Sequence, residues 1–146
     1  MIRTLDQMAD KVRSLKKQFR IAVAWAHDTN TLNAIARSVN EGFVKALMIG
    51  KTSEIENICR SSGIHSSCFS VISAEDEKKA CELAVNLAVR NEADVVMKGL
   101  VGTDTFLKAV MDKEKGLMIP DSVLSYVCAI ELPSWHKLLF ITDPAV

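Results

Sequence analysis

The sequence predicts an α/β protein with a mostly parallel sheet, helices on both faces and a closing antiparallel hairpin. Three observations carry this prediction. Short apolar runs rich in Ile and Val ("RIAVAWA", "FVKALMIG", "CFSVIS", "DVVMKG") alternate with longer stretches of helical period. Each strand–helix repetition needs a crossover, and crossovers make neighbouring strands parallel. The last two apolar runs, "SVLSYVCAIEL" and "KLLFITD", are separated only by "PSWH". That link is too short for a crossover helix, so these two strands pair antiparallel and make the sheet mixed.

The elements follow in order. Leu5, Met8, Val12, Leu15 and Phe19 recur at spacings of three and four, which marks a first helix over residues 4–18. Its Lys11, Arg13, Lys16 and Lys17 mostly fall outside the apolar stripe and read as a solvated face. "RIAVAWA" is a buried strand, followed by a helix that Asp28 or Thr29 can cap and that Gly42 can stop. "FVKALMIG" is the second strand. In the helix after it, Ser53 and Glu56 have capping-box spacing and Gly63 supplies the stop. "CFSVIS" leads into the clearest helix of the chain, capped by Ser73, with Ala80, Leu83, Ala84, Leu87 and Ala88 along one face. "DVVMKG" is the fourth strand. "TDTFLKAVMDKEKG" is the helix after it, with a stripe of Phe106, Leu107, Val110 and Met111 and a stop at Gly116.

The 146 residues suffice for one compact domain with a real core, and residues 1–146 read as a single α/β domain. Lys plus Arg equal Asp plus Glu at 18 each, so bulk electrostatic attraction to nucleic acid is not expected. Aromatic residues are only 5%, too few for a base-stacking platform. No apolar run is long enough to span a bilayer, and the charged N-terminus has no signal-peptide core. Cys59, Cys68, Cys81 and Cys128 form no C-x-x-C pair and read as buried thiols in a reducing compartment, which places the protein in the cytoplasm. His27, His65 and His136 are too scattered for a metal site, and none is assigned.

In open α/β sheets ligands bind beyond the carboxyl ends of the strands. His27 and Asp28, Gly50 to Thr52, residues 98–103, and Thr142 with Asp143 fall there. The joint containing Lys98, Gly99, Gly102 and Thr103 is the best candidate. Its glycines let backbone approach a ligand, the helix entry leaves N–H groups unpaired, Thr103 adds a hydroxyl and Lys98 a full charge. That set suits phosphate or another small anion. The same residues also fit a plain turn with a capped helix and a solvated lysine, and the spacing matches neither a P-loop nor G-x-G-x-x-G. Asp143 before Pro144 fits a turn or a cleft residue.

"MKGLVGTDTFLKAVMDKEKGL" with "LSYVCAIELPSWHKLLFITDPAV" resembles the phosphate acetyl/butyryltransferase family, nearer its phosphate butyryltransferase branch; "RIAVAWAHDTNTLNAIARSVNEGFVKALMIG" resembles that family's first strand, helix and second strand. The resemblance implies transfer of an acyl group between coenzyme A, as substrate, and inorganic phosphate, with no tightly bound cofactor. It implies a fold like the N-terminal part of the isocitrate/isopropylmalate dehydrogenase type. It matches Lys98, Gly99, Gly102 and Thr103 to a phosphate or acyl-phosphate contact, and Thr142 and Asp143 to a cleft-facing strand end. It also implies that family members continue past "FITDPAV" into a second half, which carries the Ser-Arg pair of the reaction centre. No catalytic residue is therefore assigned in this chain, which reads as a truncated or partial enzyme. The alternative is an inactive CoA- or phosphate-binding module or partner subunit. Lys108 stands where the butyryl branch commonly has arginine, and lysine lacks the planar two-pronged grip. Apolar surface left bare around the closing hairpin, Trp135 included, is expected to drive self-association into a homo-oligomer.

Overall fold

The computed structural model describes residues 1–143. They fall into two compact units, one being Gln18–Pro120 and the other Met1–Lys17 with the residues from Asp121 onward.

The larger unit holds β1 (Phe19–Ala24), α2 (Thr29–Asn40), β2 (Val44–Gly50), α3 (Thr52–Ser61), a single 3₁₀ turn, β3 (Phe69–Ser73), α4 (Glu77–Val89), β4 (Val95–Lys98) and α5 (Thr103–Val110). Its four strands are all parallel in the order β3-β2-β1-β4. The chain steps outward from β1 through β2 to β3, and α4 then carries it back past β1 to place β4 on the other side. The direction of winding reverses between β1 and β4.

Period-2 alternation of the strands builds two cores. Ile21, Val23, Ala46 and Met48 face Leu32, Ile35, Ile55 and Cys59 of α2 and α3. Ala22, Ala24 and Ile49 face Ala80, Cys81 and Ala84 of α4, with Phe106 and Ala109 of α5 against the same cluster. The second face is built from small residues on both sides, which lets α4 lie close against β1. Helices on both faces are thus as the sequence predicts. At the amino-terminal edge, the Asp94 carboxylate takes N–H groups of the Arg20 backbone and guanidinium at 2.8 to 3.0 Å, and Asp94 N–H returns to Arg20 O at 2.8 Å. This two-pronged clamp sets β4 in register beside β1.

Several element ends differ from the sequence reading. Ser73 is still paired with Gly50 in the sheet, so α4 begins later and Asp76 is its cap, accepting from Lys79 N–H at 2.8 Å. The Ser53/Glu56 capping box does not form, because α3 starts at Thr52 with Lys51 as an N-cap lacking any side-chain bond. The helix predicted to run to Gly116 ends at Val110, where the Asp112 carboxylate takes the Glu114 and Lys115 N–H groups at 2.9 and 2.8 Å and holds the chain in a turn. Gly42 and Gly63 do supply left-handed stops, with φ of 80° and 67°.

The smaller unit holds α1 (Leu5–Ser14), β5 (Val127–Ile130) and β6 (Leu139–Thr142). Thr4 caps α1 by accepting from Gln7 N–H, and Leu5 N–H donates to Glu131 Oε2 at 2.8 Å. The two strands pair antiparallel as predicted, but they form a separate two-stranded sheet instead of making the main sheet mixed. Pro120 lacks a donor and Asp121 sits at φ 61°, so extended pairing begins only at Val127. The two short strands satisfy each other.

Candidate anion site at the switch point

The crevice where winding reverses is the usual ligand position in such sheets. Here it lies between the segments that follow β1 and β4, and both are tied together by backbone. Ala24 O accepts from Gly99 N–H at 2.9 Å, and Trp25 O accepts from Leu100 N–H at 2.9 Å and from His27 N–H at 3.0 Å. Trp25 adopts φ 58°, an unusual conformation for a bulky residue, which turns its carbonyl onto this crossing. A Cβ on residue 99 would stand 2.6 Å from Trp25 O and 2.8 Å from Ala24 O. Glycine is required by that approach.

Beyond Gly99 the loop closes on itself. Val101 is buried, its N–H bonded to Gly99 O at 3.0 Å. The Lys98 ammonium donates to Val101 O at 2.8 Å and reaches Gly99 O at 3.4 Å. Lys98 thus braces its own loop through carbonyls and pairs with no carboxylate among the described residues. An ammonium has three donors, so one remains for a ligand. Gly102 is the N-cap of α5 and has no side chain to offer. Phe106 N–H is the first to find a helical acceptor, Gly102 O at 3.1 Å. The N–H groups of Thr103, Asp104 and Thr105 are left at the positive end of the helix, beside the exposed Thr103 hydroxyl. Asp104 puts one carboxylate in the same turn. By contrast, α2 and α4 have their entries closed by Asp28 and Asp76.

The neighbouring segment after β2 is joined through His27. Its Nε2 accepts from Lys51 N–H at 2.6 Å, so that nitrogen carries no proton. Gly50 is pressed against the same imidazole, leaving no space for a Cβ. Burial lowers the His27 pKa from 6.5, opposed by Glu54 and reinforced by Lys51. The Trp25 and His27 rings lie 4.0 Å apart between centroids, and Lys51 Nζ stands 5.8 Å from the Trp25 ring.

The structure therefore brings Lys98, Gly99, Gly102 and Thr103 into one loop and helix entry. Thr142 and Asp143 belong to the other unit. Thr142 is the last residue of β6, paired with Val127. Asp143, at φ 44°, accepts from Tyr126 N–H at 3.1 Å and closes its own hairpin. Trp25 is the residue that sequence reasoning missed, having counted it into the "RIAVAWA" strand. A positive φ at tryptophan leaves no signal in composition or period.

No family model matches the chain. It is 37% identical over 145 residues to phosphate butyryltransferase of Clostridium acetobutylicum, covering 99% of this chain and 48% of that protein. It is 32% identical over 145 residues to phosphate butyryltransferase of Clostridium beijerinckii, covering 99% and 47%. Phosphate acetyltransferase of Rickettsia typhi is 29% identical over 130 residues, covering 89% and 37%. The chain is a homologue of the phosphate butyryl- and acetyltransferases. It corresponds to their N-terminal half and spans about half the length of the two Clostridium relatives. The crystal structure of a branched-chain phosphotransacylase from Enterococcus faecalis superposes with a TM-score of 0.69 at 20% identity, covering 88% of this chain and 44% of that one. A phosphotransacetylase from Streptococcus pyogenes gives 0.68 at 15%, covering 85% and 46%. These two likenesses show a shared fold.

Two outcomes follow for this homologue. Gly99→Ala drives a methyl into two strand carbonyls and should cost about 1–3 kcal/mol, read as a lower urea midpoint. Gly102→Ala meets first the side chain of Asp104 at 2.9 Å, which can move, and should cost much less; equal midpoints for the two variants would refute the steric account. The second outcome concerns pH. The folded-state pKa of His27 lies below its unfolded value of 6.5, so the unfolded chain takes up the proton first. The contribution of His27 is fully present above 6.5 and is lost as pH falls through 6.5 towards the folded pKa. Urea titrations of the wild type and His27→Gln should diverge least in that acid window and most at neutral pH; parallel profiles would show that the imidazole is not the titrating group.

Proposed function

We propose that this chain is the phosphate-holding part of a phosphate acyltransferase, which moves an acyl group between coenzyme A and inorganic phosphate. The observation that carries the reading is the open entry of α5 at the switch point, in a chain 37% identical to a phosphate butyryltransferase over nearly all its length. In this reading the Thr103, Asp104 and Thr105 N–H groups, the Thr103 hydroxyl and the spare donor of Lys98 hold a phosphate, and Gly99 and Gly102 keep the approach free of side chains. A phosphate oxygen attacks the thioester carbonyl, the carbon–sulfur bond breaks, and the thiolate of CoA leaves. Helix-end donors favour the anion without having to reorganise. Residues 1–146 are then the N-terminal half of an enzyme of isocitrate/isopropylmalate dehydrogenase-like fold. The enzyme needs no tightly bound cofactor and works in the cytoplasm on small molecules, apart from nucleic acid or membrane. Zero formal net charge, four free cysteines and the lack, among described residues, of any helix long and apolar enough to cross a membrane support that setting.

A second reading is favoured by coverage. The chain spans 48% of the Clostridium acetobutylicum relative, so a CoA- or phosphate-binding module or partner subunit without turnover fits as well. Thiol release separates the two. Purified chain with acetyl- or butyryl-CoA should liberate CoA only when phosphate is present, and Lys98→Ala with Thr103→Ala should abolish it. Saturable phosphate binding with no release would establish the module instead.

The hairpin carries the expectation of self-association. Phe140 is 65% exposed, Tyr126 53% and Trp135 50%, on a two-stranded sheet whose outer edges pair with no other strand among the described residues. Such a surface recruits a partner. A homo-oligomer is the proposed outcome. Sedimentation velocity should give a dimer or larger for the wild type and a monomer for Phe140→Glu; a wild type monomeric at high concentration would remove this part of the proposal.

A further inference from the structure

The exits of β1 and β2 are fastened to each other by one side chain. His27 follows β1 and precedes Asp28, the cap of α2; its Nε2 accepts the N–H of Lys51, the N-cap of α3, at 2.6 Å. Lys51 makes no side-chain cap, so among the described residues the imidazole is the side-chain acceptor that serves this helix entry. The ring is confined. Gly50 lies against it with no room for a Cβ, and the Trp25 ring is 4.0 Å away between centroids. The backbone beside it is confined too, with Ala26 N–H bonded to Ile49 O at 3.1 Å and His27 N–H to Trp25 O at 3.0 Å.

This bond exists in one protonation state alone. The neutral ring offers its lone pair at Nε2 and carries its hydrogen on Nδ1. A proton taken from solvent at Nε2 sets two N–H groups against each other along the same 2.6 Å line. Turning the ring gives no remedy, because an imidazolium has a hydrogen on both nitrogens and an acceptor on neither. The Lys51 amide must then part from the ring. Burial favours the neutral form most; Glu54 of α3 opposes it, Lys51 reinforces it and Glu77 of α4 opposes it. Asp28, the acid next in the chain, accepts from Thr31 N–H at 2.8 Å. The balance lies below 6.5, so the ring is neutral and the bond is made at neutral pH.

We propose that His27 is a proton-operated latch between the end of β1 and the entry of α3: the neutral imidazole holds Lys51 in place, and proton uptake releases residues 50–52 while the protein stays folded. The body of α3 remains docked, because Ile55 and Cys59 are buried in the core against the sheet and that packing does not use the imidazole. The released segment lies beyond the carboxyl ends of the strands, the edge at which ligands enter such sheets. The latch thus makes the shape of that edge depend on pH. It stands independently of the acyltransferase reading.

Heteronuclear NMR of the full chain tests the latch without requiring turnover. At neutral pH the imidazole nitrogen shifts of His27 should report a hydrogen on Nδ1 and none on Nε2. As His27 titrates, the protection of the Lys51 amide, measured against its intrinsic exchange rate at each pH, should fall by about tenfold or more while the sheet amides of β1 and β2 keep theirs. His27→Gln keeps an acceptor that does not titrate, so its Lys51 protection should be independent of pH. Gly50→Ala presses a methyl on the ring; it should unprotect the Lys51 amide at neutral pH and return the His27 titration towards 6.5. A hydrogen on Nε2 at neutral pH, a Lys51 protection indifferent to the His27 titration, or loss of Lys51 and sheet protection together would each overturn the latch. So would an imidazole that stays neutral until the chain unfolds, a pH-dependent Lys51 protection in His27→Gln, or a Gly50→Ala protein with the His27 titration unchanged.

Discussion

Everything at the switch point depends on how closely the backbone leaving β4 crosses the backbone leaving β1. The carbonyls of Ala24 and Trp25 take the Gly99 and Leu100 N–H groups at 2.9 Å each, and no Cβ fits at residue 99. This contact extends the β1–β4 ladder past its last regular pair, Ala24 with Lys98. It therefore fixes where the loop turns away and where α5 begins. The strained Trp25 is tolerated because its carbonyl is used twice, by Leu100 and by His27. Through His27 the same constraint reaches Lys51 and the entry of α3. Three strand ends are thus joined by main-chain atoms and one imidazole.

The packing beneath explains why such a crossing can be held rigidly. The β1 strand is buried on both faces from Ile21 to Ala24, as expected for an inner strand of a parallel sheet. Its two faces differ in size. Ile21 and Val23 meet α2 and α3, whereas Ala22 and Ala24 meet Ala80, Cys81 and Ala84 of α4. The small face brings the α4 backbone near, and β4 is docked on β1 by the Arg20–Asp94 clamp at one end and by the Gly99 crossing at the other. A strand only four residues long needs both ends secured.

Much of this architecture was legible in the sequence because it depends on period. The order of strands and helices in the larger unit, the antiparallel pairing of the last two strands and the placing of residues 98–103 beyond a strand all follow from alternation, helical spacing and link length. What was not legible depends on competition between neighbours. Ser73 and Asp76 are both good caps, and only the pairing of Ser73 with Gly50 decides for Asp76. The capping box at Ser53 loses because His27, distant in sequence, takes the Lys51 N–H and starts the helix earlier. The stop at Asp112 was not legible because it lies inside the run that reads as helix to Gly116, and only its carboxylate taking the Glu114 and Lys115 N–H groups breaks that run. The setting of Lys98 was not legible either: only coordinates show its ammonium bonded to the Val101 and Gly99 carbonyls.

The chain spans about half the length of the Clostridium relatives, and that bears on which properties are local to it. The groups that suit phosphate all come from residues 98–105, one loop and one helical turn whose conformation is fixed inside the Gln18–Pro120 unit by Ala24, Trp25 and Val101. The shape of this helix entry is thus a local property of the Gln18–Pro120 unit. Acyl transfer asks for more, because the attacking oxygen and the thioester carbon must be held within about 3–3.5 Å and aligned, and that alignment accounts for much of the barrier reduction in such reactions. The first requirement is met or missed within residues 98–105, whereas the second depends on groups beyond them. Binding and turnover are therefore separable quantities here, and a weak or absent rate would carry no information about whether the helix entry was shaped for phosphate.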